Sequence, residues 1–185
     1  MGLFDTIFGR RVRTGSDWET NERILDISSA STMLESHGMR PIESAGICFK
    51  PMSDSDFERV ISDVNESMSG ERGRHKYTTD EYGYHWIVVY DDEFDGLVEL
   101  VHSTVKILTK NGFGERLLCA VFGFIENENR IYWVYSYKRG SFYPFVPLDK
   151  KRDMEKEVKL ASLLKEEMNI EKDASCWYPI WNPPL

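Results

Sequence analysis

Residues 117–125 read Leu-Leu-Cys-Ala-Val-Phe-Gly-Phe-Ile, without one charged or hydrogen-bonding polar side chain. A strand with one wet face alternates apolar and polar residues, so a run with no alternation must be covered on both faces. The run is far shorter than the ~20 residues needed to span a bilayer as a helix. It is bounded by Gly112-Phe113-Gly114 before it and Glu126-Asn127-Glu128-Asn129 after it. The chain must therefore build a sheet around this segment, with at least one strand on either side.

The flanking patterns supply the neighbours. Residues 44–50 and 131–137 read as strands, and residues 76–79 and 85–90 as a hairpin around Glu81-Tyr82-Gly83. Helical spacing recurs in four places. Residues 27–37 form a short helix stopped by Gly38. Ser53-Asp54-Ser55-Asp56 caps a helix with Phe57, Val60, Ile61, Val64 and Met68 as its inward stripe. Residues 93–110 place Phe94, Leu97, Val98, Val101, Val105 and Leu108 on one face and stop at Asn111-Gly112. The last helix, over 150–168, turns Met154, Val158, Ala161, Leu164 and Met168 inward. This order predicts a two-layer α+β domain, with a mainly antiparallel sheet of about five strands and helices packed on one face. Residues 27–185 form that single domain. Residues 1–26 are an amphipathic N-terminal segment and linker.

At 185 residues with net charge −8, the chain has no basic face of the kind that binds nucleic acid generally, and none is expected as a partner. The three cysteines, Cys48, Cys119 and Cys176, are odd in number and widely spaced, and none lies in a CxxC. That usage suits a reducing cytoplasm and offers neither a disulfide framework nor a zinc site.

Nucleophile elbows, Walker loops and HExxH are missing, and Gly112-Phe113-Gly114 precedes a strand where a dinucleotide fingerprint needs a helix. No catalytic residue, metal or cofactor is expected. The one enzymatic or small-molecule alternative is a pocket near His85, Cys48 and Cys119. It requires His85 and a thiol to converge on a carboxylate.

Two segments suggest contact surfaces. Residues 135–145 hold five aromatics, two adjacent cations, a glycine and a proline. Aromatics beside an arginine dominate binding hot spots, so Tyr135, Tyr137, Lys138, Arg139, Phe142, Tyr143 and Phe145 are the candidate partner-binding residues. The same side chains would equally close the end of the sheet. Residues 1–13 place Leu3, Phe4, Ile7 and Phe8 on one side at helical spacing, followed by Arg10, Arg11 and Arg13. Their burial gains roughly 1.5–3 kcal/mol each, against roughly 1–2 kcal/mol of backbone entropy for every residue ordered. Such a segment grips a membrane surface weakly, with help from anionic lipids. Docking on a partner or on the domain itself is an equal alternative.

The ordered set Met1-Gly2-Leu3-Phe4-Asp5, Gly46-Ile47-Cys48-Phe49, Tyr82-Gly83-Tyr84-His85-Trp86, Leu117-Leu118-Cys119, the run over 137–145 and Trp177-Tyr178-Pro179-Ile180-Trp181 resembles the PspA-associated protein PspAB family over nearly the whole chain. The resemblance implies association with a PspA-like coiled-coil protein that coats and remodels the inner face of stressed membranes. It implies no defined reaction. The expectation is a non-catalytic adaptor in the cytoplasm, at the inner membrane face, binding its partner through residues 135–145 with Arg139 as the charged anchor. The loop Gly70-Glu71-Arg72-Gly73-Arg74-His75-Lys76 departs from the family in being densely charged.

Overall fold

The computed structural model describes residues 22–67 and 74–185. Strands β1 (Arg40–Phe49), β2 (Arg74–Thr79), β3 (His85–Tyr90), β4 (Leu117–Glu126), β5 (Asn129–Ser136) and β6 (Ser141–Phe145) form one sheet in the order β2-β3-β1-β4-β5-β6. Every neighbouring pair is antiparallel. The doubly apolar stretch is β4, held between β1 and β5, with its first eight residues buried. Its turn into β5 sets Asn127 and Glu128 at φ 48° and 69°, the double left-handed conformation of a two-residue hairpin.

Among the described residues four α-helices accompany the sheet: α1 (Asp26–Ser36), α2 (Asp54–Ser67), α3 (Phe94–Lys110) and α4 (Met154–Leu164). On α3 the expected stripe is buried from Leu97 to Leu108. It joins Ile27 and Leu34 of α1, Val60 and Val64 of α2, and Ile47, Ile87, Phe122 and Trp133 of the sheet in one core. Gly123 permits a bulge in β1 to fold over β4, because a Cβ there would lie 2.4 Å from Ile42 Cδ1.

The α+β fold with an antiparallel sheet is as expected; two features extend the sequence expectation and a third corrects it. The sheet has six strands, the sixth being the aromatic run itself, and a small hairpin of β7 (Pro147–Leu148) and β8 (Lys151–Arg152) follows it. The sheet is also covered on its second face. There Cys48, Trp86, Val121, Tyr132 and Phe145 form another core with Ala161, Trp177 and Ile180, while Tyr178, Trp181 and Leu185 pack partly against it. The cover is the irregular C-terminal segment, which crosses the sheet as far as β1, where Leu185 lies over Gly46.

The third difference is the phase of α4. Its buried residues are Glu157, Leu160, Ala161 and Leu164, whereas Met154 is 42% and Val158 50% exposed. Hydrophobic periodicity misplaced this face because a carboxylate, Glu157, occupies an inward position. Asp153 caps the helix by accepting the Lys156 N–H at 3.0 Å.

Candidate interaction surfaces

The aromatic run ends its strand at a sheet edge, and its side chains alternate between the two cores. Tyr135, Tyr137 and Phe142 enter the helix-side core, while Tyr143 and Phe145 enter the other. None of the five is exposed: Tyr135, Phe142 and Phe145 are fully buried, and Tyr137 and Tyr143 nearly so. Burial pushes the Tyr137 and Tyr143 phenols well above their ordinary pKa. The aromatics expected on a partner surface are therefore core residues, because a strand covered on both faces has no outward side for them to occupy. Of the predicted set, Lys138 is half-buried and Arg139 reaches solvent.

Arg139 has an internal task. Its guanidinium Nε donates to Glu171 Oε2, which also accepts from Ser141 Oγ at 3.1 Å, and Glu171 Oε1 accepts the Asp173 N–H at 3.0 Å. Burial raises the Glu171 pKa, but the bonds from Arg139, Asp173 and Ser141 outweigh it and hold the carboxyl below its ordinary value. This cluster seats residues 169–171 along the outer edge of β6, where the Phe142 N–H donates to Asn169 O and the Glu171 N–H to Phe142 O, each at 2.8 Å. The expected anchor for an acidic partner is thus paired with a carboxylate of its own chain.

A second ion pair lies deeper. Glu157 has no exposed surface. Its Oε1 accepts the Val146 N–H at 2.9 Å and Arg152 Nε at 3.1 Å, while its Oε2 accepts Arg152 Nε at 3.0 Å and Nη2. Arg152 Nη1 donates to Trp177 O at 2.6 Å, and the guanidinium lies 5.7 Å from the Phe145 ring centroid. One arginine so ties together β8, α4, the end of β6 and the C-terminal segment. Sequence reading passed over both residues, since Glu157 sits among lysines and glutamates that otherwise mark a solvated helix face.

The residues of the pocket alternative do not converge. His85 pairs with Phe49 in the β1–β3 register and faces the helices, where Phe57 stacks on it at 4.1 Å and Thr79 Oγ1 lies 3.0 Å from its Nδ1. Cys48 and Cys119 are register partners on the opposite face of the sheet. Burial, followed by the contact with Cys119, drives the Cys48 thiol well above its ordinary pKa, the reverse of what a nucleophile needs. Native protein is accordingly expected to label at one thiol per chain with an aromatic disulfide reagent, at the half-buried Cys176, and at all three after denaturation. Fast native labelling of Cys48 would contradict the packing described.

Among the described residues no group of three or more His, Cys, Asp or Glu side chains is arranged to hold a metal ion. No helix among them is long and apolar enough to cross a membrane. The membrane-surface set Leu3, Phe4, Ile7, Phe8, Arg10, Arg11 and Arg13 lies outside the described residues, as does Met68.

What the described residues do expose is a small apolar group around the start of α4. Leu148 of β7 is 54% exposed, and Met154 and Val158, one helical turn apart, are nearly as open. These are three of the four large hydrophobic residues exposed among the described residues, the other being Tyr82 in the β2–β3 turn.

The comparisons with known proteins place the chain at family level. It matches PspA associated protein B (PspAB) over residues 1–185, and the chain belongs to that family. No curated protein and no solved structure matches it.

Proposed function

We propose that this protein is a non-catalytic adaptor of a PspA-dependent membrane-stress response, binding a PspA-family coiled-coil protein at the cytosolic face of the membrane. The observation that carries the reading is the family match along the whole chain, whose name denotes association with PspA. The exposed stripe of α4 supports a mode of binding. Met154 and Val158 at i and i+4 offer an apolar ridge, flanked by the Glu155–Lys159 ion pair at 2.6 Å, on which an amphipathic helix of the partner can lie. Residues 1–13 supply a second, weaker contact, with their apolar side chains in the lipid interface and their arginines on anionic headgroups.

The test is direct binding of the full chain to the PspA-family protein of the same organism. A Met154→Asp/Val158→Asp variant is expected to bind about tenfold or more weakly, the loss typical of hot-spot truncation. Its melting temperature should stay within a few degrees, because both side chains are already in water. Arg139→Glu is expected to lower stability first, since it sets a second carboxylate against Glu171. Removal of residues 1–13 is expected to abolish co-sedimentation with anionic vesicles and to leave PspA-family binding intact. Equal affinity of the α4 variant and the parent would remove the helix-docking mode; no binding by either would remove the adaptor.

A further inference from the structure

Strand pairing brings together two thiols that lie far apart in the sequence. Cys48 of β1 and Cys119 of β4 are direct register partners, and both belong to the core on the second face of the sheet. Directly opposed residues of an antiparallel pair have Cα atoms about 4.5 or 5.5 Å apart, inside the range of about 4.4–6.8 Å that a disulfide bridges. Both cysteines are free, at 3% and 0% exposure, and the two thiols interact. The ladder is already irregular here, with a register shift between Cys48 and Phe49 that gives the strands room to adjust. Cysteine spacing alone pointed to no bridge, but the fold makes a pair that can close with little movement of the backbone.

The C-terminal segment separates this pair from solvent. Trp177 and Ile180 are buried in the same core as both cysteines, and Tyr178, Trp181 and Leu185 pack partly against it. Residues 177–185 form neither helix nor strand. A cover held mainly by side-chain packing opens at lower cost than the strands beneath it. With the segment closed, burial holds the Cys48 thiol protonated and unreactive. With it lifted, water and small oxidants reach both sulfurs.

We propose that Cys48 and Cys119 are an oxidation site: when the C-terminal segment lifts, a peroxide converts the pair into a disulfide that ties β1 to β4. One thiolate attacks the peroxide O–O bond, giving a sulfenic acid and releasing hydroxide. The second thiolate attacks that sulfur and expels a second hydroxide, and the two thiol protons complete two molecules of water. The peroxide is reduced and the two thiols are oxidised. Such a bond in a reducing compartment is transient and belongs to redox sensing. The site does not rest on the PspA reading. The competing role for the two cysteines is that of small fillers in a packed face, and one experiment separates the two.

The full chain is treated with hydrogen peroxide in native buffer, quenched at intervals, alkylated in denaturant and mapped by mass spectrometry without reduction. A peptide linked through Cys48 and Cys119 is expected to accumulate slowly as the sole linkage, and dithiothreitol should restore both thiols. Trp181→Ala removes the edge-on contact to Phe145 and should speed the linkage about fivefold or more, the population change that a small loss of stability brings. Leu185→Ala, at the end of the segment over Gly46, is the milder second variant and should act in the same direction. Cys176→Ser should leave the reaction unchanged. The chain oxidised in denaturant serves as the reference for random pairing, with linkages through Cys176 as well. Absence of the linkage from the parent and both cover variants, sulfinic acid in its place, or mixed pairings in native buffer would overturn the proposal. So would a rate indifferent to both cover variants, or one that is lost in Cys176→Ser.

Discussion

Replacing Glu157 with Ala is expected to destabilise the fold by about 3–5 kcal/mol, the usual cost of removing one partner from a buried ion pair. Three donors lose their acceptor at once, the Val146 N–H and the Nε and Nη2 of Arg152. The Val146 N–H is buried with no other acceptor among the described residues, and Arg152 keeps its charge in a site only 20% exposed. The β8–α4 junction loses its bidentate clamp. For a chain of this size the loss corresponds to a melting temperature lower by about 6–20 °C. The double replacement Arg152→Met/Glu157→Met serves as the control. It removes both charges and fills the space, so it should recover a large part of the loss, although the Val146 N–H stays without its acceptor. If Glu157→Ala melts with the parent, the pair is peripheral and α4 is positioned by Leu160 and Leu164 alone. If the double variant is as damaged as the single, packing dominates over the charge pair.

The same pair shows where sequence reading fails. Residues 117–125 announced a doubly covered strand through composition alone, and β4 occupies a central place in the sheet. The α3 stripe was equally legible, because the apolar spacing of Leu97, Val98, Val101, Val105 and Leu108 persists although His102 and Thr104 are buried beside it. In α4 the inward face contains Glu157, so a count of apolar residues rotates the helix and turns Met154 and Val158 the wrong way. Information on that phase sits in Arg152, five residues earlier and on another element, and no local pattern carries it.

The aromatic run failed for a related reason. Tyr135, Phe142 and Tyr143 are residue types found both in cores and at interfaces. Only the C-terminal segment, some thirty residues downstream, decides that the second face of β6 is covered. The pocket alternative fell to strand alternation: the one-residue offset between the Phe49–His85 and Cys48–Trp86 pairs puts histidine and thiol on opposite faces.

Removing residues 177–185 is expected to have the larger consequence, because it uncovers the second core. Burial of Trp177 and Ile180 together contributes roughly 3–6 kcal/mol at the usual worth of a large apolar side chain. Tyr178, Trp181 and Leu185 add partial contacts. Set against a total stability of about 5–15 kcal/mol for a domain, the truncated chain should be largely unfolded or aggregated at 37 °C. A milder variant keeps the question answerable if it does not fold. Trp181→Ala removes an edge-on contact at 5.0 Å to Phe145, together with part of the cover, at a cost of about 1–3 kcal/mol. Cys48 and Cys119 report on the cover in both cases. They lie beneath the segment, so their labelling should accelerate in proportion to its opening, well before the helix-side core exposes Trp133 to solvent. Labelling that rises only with global unfolding would mean that the segment and the sheet form one cooperative unit. Labelling that precedes it would mean that the second face opens on its own, with Arg152 and its bond to Trp177 O as the hinge.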